Sequence, residues 1–571
     1  PSRLMPVSAT YDPPRPWIRS YAEGVPEDLA EVSGSLVDIV AASARTHPDA
    51  PALEFFGRTT SYRDLEVQIS RAAAGLRELG VTAGEPVAIV LPNCPQHIVA
   101  FYAILRLGAV VVEHNPLYTP VELERQFADH GAKHAIVWSK VAATVQGFTD
   151  EVRVDSLISV DLTTAMPWHT RLALHLPIRK AREGREALTA PTSGTTAWDD
   201  IVRATALDAS HPRPETDDLA LIQYTSGTTG SPKGARLTHR NLLANAAQAR
   251  AWVPTITRGE GCVVYAVLPM FHAYGLTLCL TFAMSMAARL VLFPRFDPDM
   301  VLSVTKKRPA TFLPLVPPIA RRLLASAEER GVSLAGTGIA ISGAMALPHD
   351  LVVPFEAATG GYLVEGYGLS ECSPVLMANP VAPHRVPGTV GLPLPGTECR
   401  VVDPEDPGRD MPPGEAGELI VRGPQVFDGY FRKPEETAAV FAGDWFRTGD
   451  IVTIDDDGFV RIVDRIKELV ITGGFNVAPT EVENALRRHP SIADAAVVGL
   501  PDDRAGEQVV AAVVAAAGHR IDPEAIRAFA REELTPYKVP KRVVVVDELP
   551  TSLIGKVLRR QVRDRLLADD V

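Results

Sequence analysis

The chain predicts an α/β protein. Helix-covered, mostly parallel sheets form a large N-terminal domain, a β-rich subdomain follows, and a small α+β domain ends the chain. Three observations carry this expectation. At 571 residues the chain is too long for one hydrophobic core. Helical and strand-like apolar patterns alternate through its first half, as in a parallel sheet covered on both faces. The texture then changes twice, near Val386 and near Lys467.

Residues 1–34 are rich in proline and read as an extended lead-in. Ser61 is placed to cap a helix whose apolar positions Leu65, Ile69, Ala73, Leu76 and Leu79 keep helical spacing, and Gly80 ends it. Pro86 to Leu91 reads as a buried strand, Gln96 to Leu107 as a helix and Ala109 to Val112 as the next strand. Such order places a ligand site beyond the carboxyl ends of the strands. Leu276 to Phe293 is the most apolar long stretch, but Ser285 and Arg289 interrupt it, so it reads as a buried helix entering a strand rather than a membrane span. From Val386 to Asp464 short strands and turns dominate, with Asp457-Gly458 as a hairpin signal. The large domain is therefore taken as 35–466, its β-rich part as about 386–466, and the small domain as 467–571. In the last of these Thr480 is expected to cap a helix through Leu486, Ala493 to Leu500 and Val509 to Val514 to be strands, and Pro523 to start a helix.

Hydrophobic residues at 46% and charged residues at 22% exclude a disordered chain. A net charge of -12 excludes a general basic field for nucleic acid, so an anionic ligand needs locally placed cations. Five scattered cysteines lack metal-type spacing and fit a reduced cytoplasmic protein. No charged-then-apolar leader opens the chain, and peripheral membrane contact stays open.

The most informative segment runs from Tyr224 to Gly234, Tyr-Thr-Ser-Gly-Thr-Thr-Gly-Ser-Pro-Lys-Gly, after the apolar stretch Leu219 to Ile222. Glycines permit close approach of backbone to an anion, hydroxyls and amides can surround phosphate oxygens, and Lys233 adds a positive charge. It is not a Walker loop, because Pro232 and Gly234 flank the lysine where that pattern needs Gly and Ser or Thr. Composition alone would favour a plain surface loop. The chain supplies a control in Pro191 to Ala197, which repeats the core letters without the later glycine and lysine and reads as an ordinary loop.

The longer match resembles the phosphate loop of the adenylate-forming superfamily of acyl-CoA synthetases, adenylation domains and luciferases, and the resemblance extends in order over nearly the whole chain. Within the superfamily the chain looks most like bacterial long-chain fatty-acid-CoA ligases. The resemblance implies that Thr225, Ser226, Gly227, Thr228, Thr229, Gly230 and Lys233 hold ATP, with Thr228 also catalytic. Glu365-Gly366-Tyr367-Gly368-Leu369-Ser370-Glu371 resembles the adenine and metal segment, in which Tyr367 stacks on adenine, Ser370 contacts the α-phosphate and Glu371 holds Mg2+. Taken alone it would be a glycine-rich turn with a solvated glutamate.

Ser342-Gly343-Ala344-Met345 resembles the strand end on the other face of adenine, with Met345 in place of a more usual alanine. Thr448-Gly449-Asp450 resembles the ribose motif, and Ile462 and Arg465 complete the implied nucleotide contacts. Phe271-His272-Ala273-Tyr274-Gly275 matches the segment beside the substrate carboxylate. Amino-acid-activating relatives carry aspartate at the place of His272, so the acid is expected not to be an α-amino acid. Lys467 matches a hinge, and Gly473 and Gly474 match the loop lining a coenzyme A channel. Lys556, in Pro550 to Lys556, matches the catalytic lysine. The bland reading of Lys556 is a solvated side chain ahead of a basic helix with Arg559, Arg560 and Arg563.

The implied reaction joins a carboxylic acid to coenzyme A through an acyl-adenylate, with ATP, Mg2+ and coenzyme A and no nucleic acid. Rivals are a ligase that loads a carrier protein, a medium-chain or aryl acid ligase, a light-emitting relative and a silent nucleotide-binding scaffold; monomer and homodimer both stay open. Leu276 to Leu280 and Phe312 to Pro318 either line a hydrocarbon tunnel or pack the core. The implied alternation of the small domain between half-reactions separates two roles. Lys556→Ala is expected to slow adenylate formation by about 10² or more while sparing thioester formation from supplied acyl-adenylate. Single-turnover assays of both halves check this, and equal loss in both contradicts it.

Overall fold

The computed structural model describes residues 15–225, 232–472, 475–502, 506–552 and 555–568. A seven-stranded sheet runs from Thr196–Ala197 through Ser156–Val160, His134–Trp138, Pro86–Val90, Val110–Glu113 and Leu219–Thr225 to Lys233–Thr238. Its first six strands are parallel and the last returns antiparallel. A nine-stranded sheet places six parallel strands side by side, Tyr362–Gly368, Ile339–Ser342, Phe312–Leu315, Val263–Ala266, Arg289–Leu292 and Pro51–Phe55, with antiparallel strands at both edges.

The helix Pro95–Arg106 touches strands of both sheets and is buried on every face from Gln96 onward. That explains why its apolar pattern is nearly continuous rather than one-sided. Tyr62–Glu78 is amphipathic instead, and Ser61 caps it by accepting from the Asp64 amide. Leu276–Thr281 is a π-helical stretch, continued by the α-turn Phe282–Ser285 and the strand Arg289–Leu292. All of Leu276 to Leu280 is buried, and its apolar side chains belong to the main core, as do Phe312, Leu313 and Leu315. Both segments thus contribute to the main core.

An antiparallel five-stranded sheet follows, with the hairpin Trp445–Ile454 and Val460–Arg465 turning at Asp457-Gly458. The lead-in is not simply extended. Pro16–Ser20 forms a 3-10 turn, Trp17 is buried, and the Ser20 hydroxyl donates to the Asp457 carbonyl at 2.8 Å. Gly458 is needed there, because a Cβ would fall 2.5 Å from the Trp17 Cα.

The main core ends at Val460, and a separate core built on Val470, Val482, Leu486 and Ile526 fills the small unit. Its sheet pairs Ile492–Asp502 with Gly506–Ala515, and Arg542–Val545 lies parallel to the latter. Thr480 does not cap the helix Pro479–Leu486, whose cap position is Ala478. The Thr480 amide instead donates to the Asp464 carboxylate at 2.8 Å, so a group from before residue 467 satisfies a helix terminus after it.

Candidate active site

The site is built on strand ends. Ser342 pairs with Leu315 on one side and Glu365 on the other, at the carboxyl ends of three parallel strands. The Tyr274 hydroxyl stitches them by donating to the Ile341 carbonyl at 2.8 Å and the Leu315 carbonyl at 3.1 Å. Its ring lies where a side chain at residue 343 would stand: a Cβ on Gly343 would be 3.0 Å from the ring. Ala344 follows with a φ of 65°, which turns the chain sharply toward Met345. Gly368 is as constrained, since a Cβ there would fall 1.9 Å from the Pro374 carbonyl oxygen. Ser370 opens the short turn Ser370–Cys372 that brings in Glu371.

Beside these strand ends lies a buried polar group. The Asp450 carboxylate is 1% exposed, accepts from the Tyr367 hydroxyl, and pairs with the Arg465 guanidinium at 2.8 Å. Antiparallel pairing of Asp450 with Arg465 fixes that ion pair, and the neighbouring pair Val452–Ile462 leaves Ile462 half-buried next to it. The Asp450 charge holds the Arg465 guanidinium above its ordinary pKa. Burial first, and Asp450 second, push the Tyr367 phenol well above its own.

Thr225 pairs with Lys233 and Tyr224 with Gly234, so the strands on either side of the glycine-and-hydroxyl segment run antiparallel. Ser226, Gly227, Thr228, Thr229 and Gly230 lie outside the described residues, as do Gly473 and Gly474. The base of the hairpin is tied to the metal-type carboxylate by one residue that sequence reading missed. The Tyr430 hydroxyl donates to Glu371 at 2.8 Å, and the Lys233 ammonium stands 5.3 Å from the centre of the Tyr430 ring. Nothing in Phe427 to Phe431 distinguishes this tyrosine from a core aromatic, so no local signal marked it. Burial raises the Glu371 pKa. A carboxylate 9% exposed, with a hydroxyl donor beside it, is chemically suited to a hard cation that would compensate its charge.

The small unit closes the site. A Cβ on Gly555 would approach Pro318 at 3.0 Å and the Met345 methyl at 4.0 Å, which places the lysine loop over the strand-end segment of the large unit. Burial, with Arg465 as the next cause, lowers the Lys556 ammonium to about 8, while Glu468 and Asp450 oppose that shift. Lys556 therefore shares the electrostatic environment of the Asp450–Arg465 pair. The Lys556 amide donates to the Ser552 hydroxyl at 3.1 Å, and Ser552 returns its amide to the Lys556 carbonyl at 2.7 Å.

Arg559 is not part of a solvated basic face. Its guanidinium donates to Glu483 at 2.7 and 2.8 Å, to the Thr480 hydroxyl at 2.7 Å and to Glu468, and stands 3.8 Å from Asp464. It knots the lysine loop to both sides of residue 467.

His272 sits half-buried beside the strand ends; its Nδ1 accepts from the Tyr274 amide at 3.3 Å, and burial lowers its pKa to about 4. Burial thus favours its neutral form near pH 7. Glu365 is pushed up to about 8 by burial, and its side chain lines a small cavity with His349 and Arg385. Its neighbour Gly366 packs against Ile341.

Two sheets meeting at strand ends, with a hairpin, a ribose-type carboxylate and a lysine from a second unit converging there, define a nucleotide-using enzyme. Residues 40–431 match the model of the AMP-binding enzyme family and residues 481–556 that of its C-terminal domain, and the chain belongs to this family. It is 37% identical over 556 residues to a long-chain-fatty-acid-CoA ligase of Bacillus subtilis, covering 96% of this chain and 97% of that one. The ATP-bound structure of MatB from Rhodopseudomonas palustris superposes with a TM-score of 0.76 at 32% identity, covering 93% of this chain and 98% of that one. A fatty acyl CoA synthetase of Mycobacterium tuberculosis superposes with a TM-score of 0.73 at 26% identity, covering 94% and 99%.

The lowered Lys556 pKa sets a sign for the pH dependence. The ammonium is charged below about 8 and neutral above. The kcat/KM of adenylate formation for ATP, which reports the free enzyme, is expected to fall above that pH toward about tenfold per pH unit. Lys556→Arg is expected to abolish this limb; a decline of the same position in the arginine variant would assign it elsewhere. Tyr430→Phe, which leaves Glu371 without its hydroxyl donor, is expected to raise the half-saturating Mg2+ concentration by about 10–100-fold. An unchanged requirement would reduce Tyr430 to packing.

Proposed function

We propose that the protein is an ATP-dependent ligase that joins a long-chain fatty acid to coenzyme A, releasing AMP and diphosphate. The observation that carries this reading is the convergence of Lys556, from the small unit, with the Asp450–Arg465 pair of the large one. A carboxylate has no good leaving group, so the acid oxygen attacks the α-phosphorus of ATP, the bond to diphosphate breaks, and a mixed anhydride forms. The coenzyme A thiol then attacks the acyl carbonyl, loses its proton, and AMP leaves.

The first step brings anions together in a protein of net charge -12. Lys556 and Lys233 neutralise them, and the hydroxyls and amides of 225–230 orient the phosphates. Asp450 and Arg465 hold the ribose, Tyr367 and the 343–345 strand end hold adenine, and Ser370 meets the α-phosphate. His272, neutral beside the carboxylate, positions it without adding charge. Glu371 would hold a Mg2+ ion, which would supply charge neutralisation for the phosphates. Gly473 and Gly474 give passage to pantetheine, and a turn of the small domain about Lys467 exchanges that loop for Lys556 between the steps. The relatives' names support coenzyme A as acceptor and a long-chain acid as substrate. Among the described residues no helix is long and apolar enough to cross a membrane, and we place the enzyme in the cytoplasm, with peripheral contact to the lipid surface.

A panel of acids from acetate to oleate, read by coenzyme A consumption and diphosphate release, tests the reading. Each methylene bound is expected to raise kcat/KM by about fourfold until the pocket is filled. Preference for aryl acids would overturn the acyl assignment, acyl transfer only to a carrier protein would overturn the acceptor, and no diphosphate release with any acid would overturn the whole.

A further inference from the structure

Between the strands Ser156–Val160 and Thr196–Ala197 the chain makes an excursion whose exposure is inverted. Met166 and Ala181 are buried, Leu174 and Leu188 pack on the main core, and the Trp138 indole donates to the Leu188 carbonyl at 2.8 Å. Anchored in this way, the segment turns its other large apolar side chains outward. Trp168 is 78% exposed, Leu172 63%, Leu176 53% and Ile178 55%. Trp168 and Leu172 are four apart on the helix Trp168–Ala173, so they share a face. Clustered exposure of this kind gains nothing in water and marks a contact surface.

The same stretch is cationic. Arg171, Arg179, Lys180, Arg182 and Arg185 stand against Glu183 and Glu186, five positive charges to two negative, in a protein whose total is -12. Arg179 is engaged by Glu183 at 2.6 Å, while Arg171, Lys180 and Arg182 are exposed beside the apolar group. Tryptophan and aliphatic side chains ringed by arginine suit the boundary between lipid headgroups and acyl chains.

We propose that residues 167–188 dock the protein on an anionic lipid bilayer, with Trp168, Leu172, Leu176 and Ile178 entering the headgroup boundary and Arg171, Lys180 and Arg182 meeting lipid phosphates. Charge selects this occupant. A second copy in a two-fold contact would press the basic patch against itself, whereas anionic headgroups complement it and the acidic remainder of the protein is repelled. The sheet order also favours it. Thr196–Ala197 is the edge strand of the seven-stranded sheet, and the phosphate-loop hairpin ends the opposite edge, so docking leaves the nucleotide site in water. The inference deepens the long-chain reading, which gives the reason for docking, since such an acid is dissolved in membranes.

Vesicle sedimentation of the full chain tests it, with phosphatidylcholine vesicles against phosphatidylcholine with phosphatidylglycerol. Binding is expected to the anionic vesicles, to weaken with salt, and to bring tryptophan quenching by brominated lipid that Trp168→Phe removes. The double change Trp168→Ser with Leu172→Ser is expected to lower partitioning about tenfold or more, and Arg171→Glu with Arg182→Glu to abolish the preference for anionic lipid. Both variants are expected to keep the wild-type melting temperature and diphosphate release with octanoate in solution. No vesicle binding by the wild type, equal binding by the variants, or a wild-type dimer that the serine pair dissociates would overturn the proposal. Vesicle binding without diphosphate release from any acid would sink the ligase reading and leave the docking surface standing.

Discussion

An ammonium group held partly out of water makes two domains into one site. Lys556 lies within the electrostatic reach of the Asp450–Arg465 pair, and Gly555 just before it lies against Pro318 and near Met345. Away from ligand, burial and the Arg465 charge disfavour the ammonium. Polyanionic ATP reverses that balance, so the same desolvation that depresses the pKa makes the charge more effective once phosphate arrives. The hairpin at Thr225 and Lys233, the carboxylate Glu371 and the ribose-type Asp450 all belong to the large unit and none can substitute for it.

The strand ends are placed by constraints that leave little choice of residue. Tyr274 spans the carbonyls of Leu315 and Ile341, its ring excludes any side chain at Gly343, and Gly368 passes too close to Pro374 for a Cβ. Both positions sit over the large apolar core, whose close packing holds these strand ends in place.

Much of this was legible beforehand. The alternation of Pro86 to Leu91, Gln96 to Leu107 and Ala109 to Val112 corresponds closely to strand, helix and strand, because periodicity and length reflect burial directly. The pairing of Asp450 with Arg465 was only half legible: Asp457-Gly458 marked the hairpin, but the register shift between Ile451 and Val452 that brings the two opposite each other leaves no sequence signal. Tyr430 and Arg559 were not. Each acts through contacts distant in sequence, to Glu371 in one case and Glu483 in the other, and neither has a pattern that composition reveals. Thr480 misled for a related reason: a cap signal is local, and Asp464 from another element answered it.

The Arg559 knot has a mechanical consequence. Asp464 precedes residue 467, while Thr480, Glu483 and Arg559 follow it. Turning the small unit about that residue, as we propose, would break the bond from the Thr480 amide to Asp464, while Arg559 and Glu483 would travel together unbroken. The lysine-forward pose thus has a catch of its own, independent of any ligand. Any rotation of the small unit would have to release that catch first.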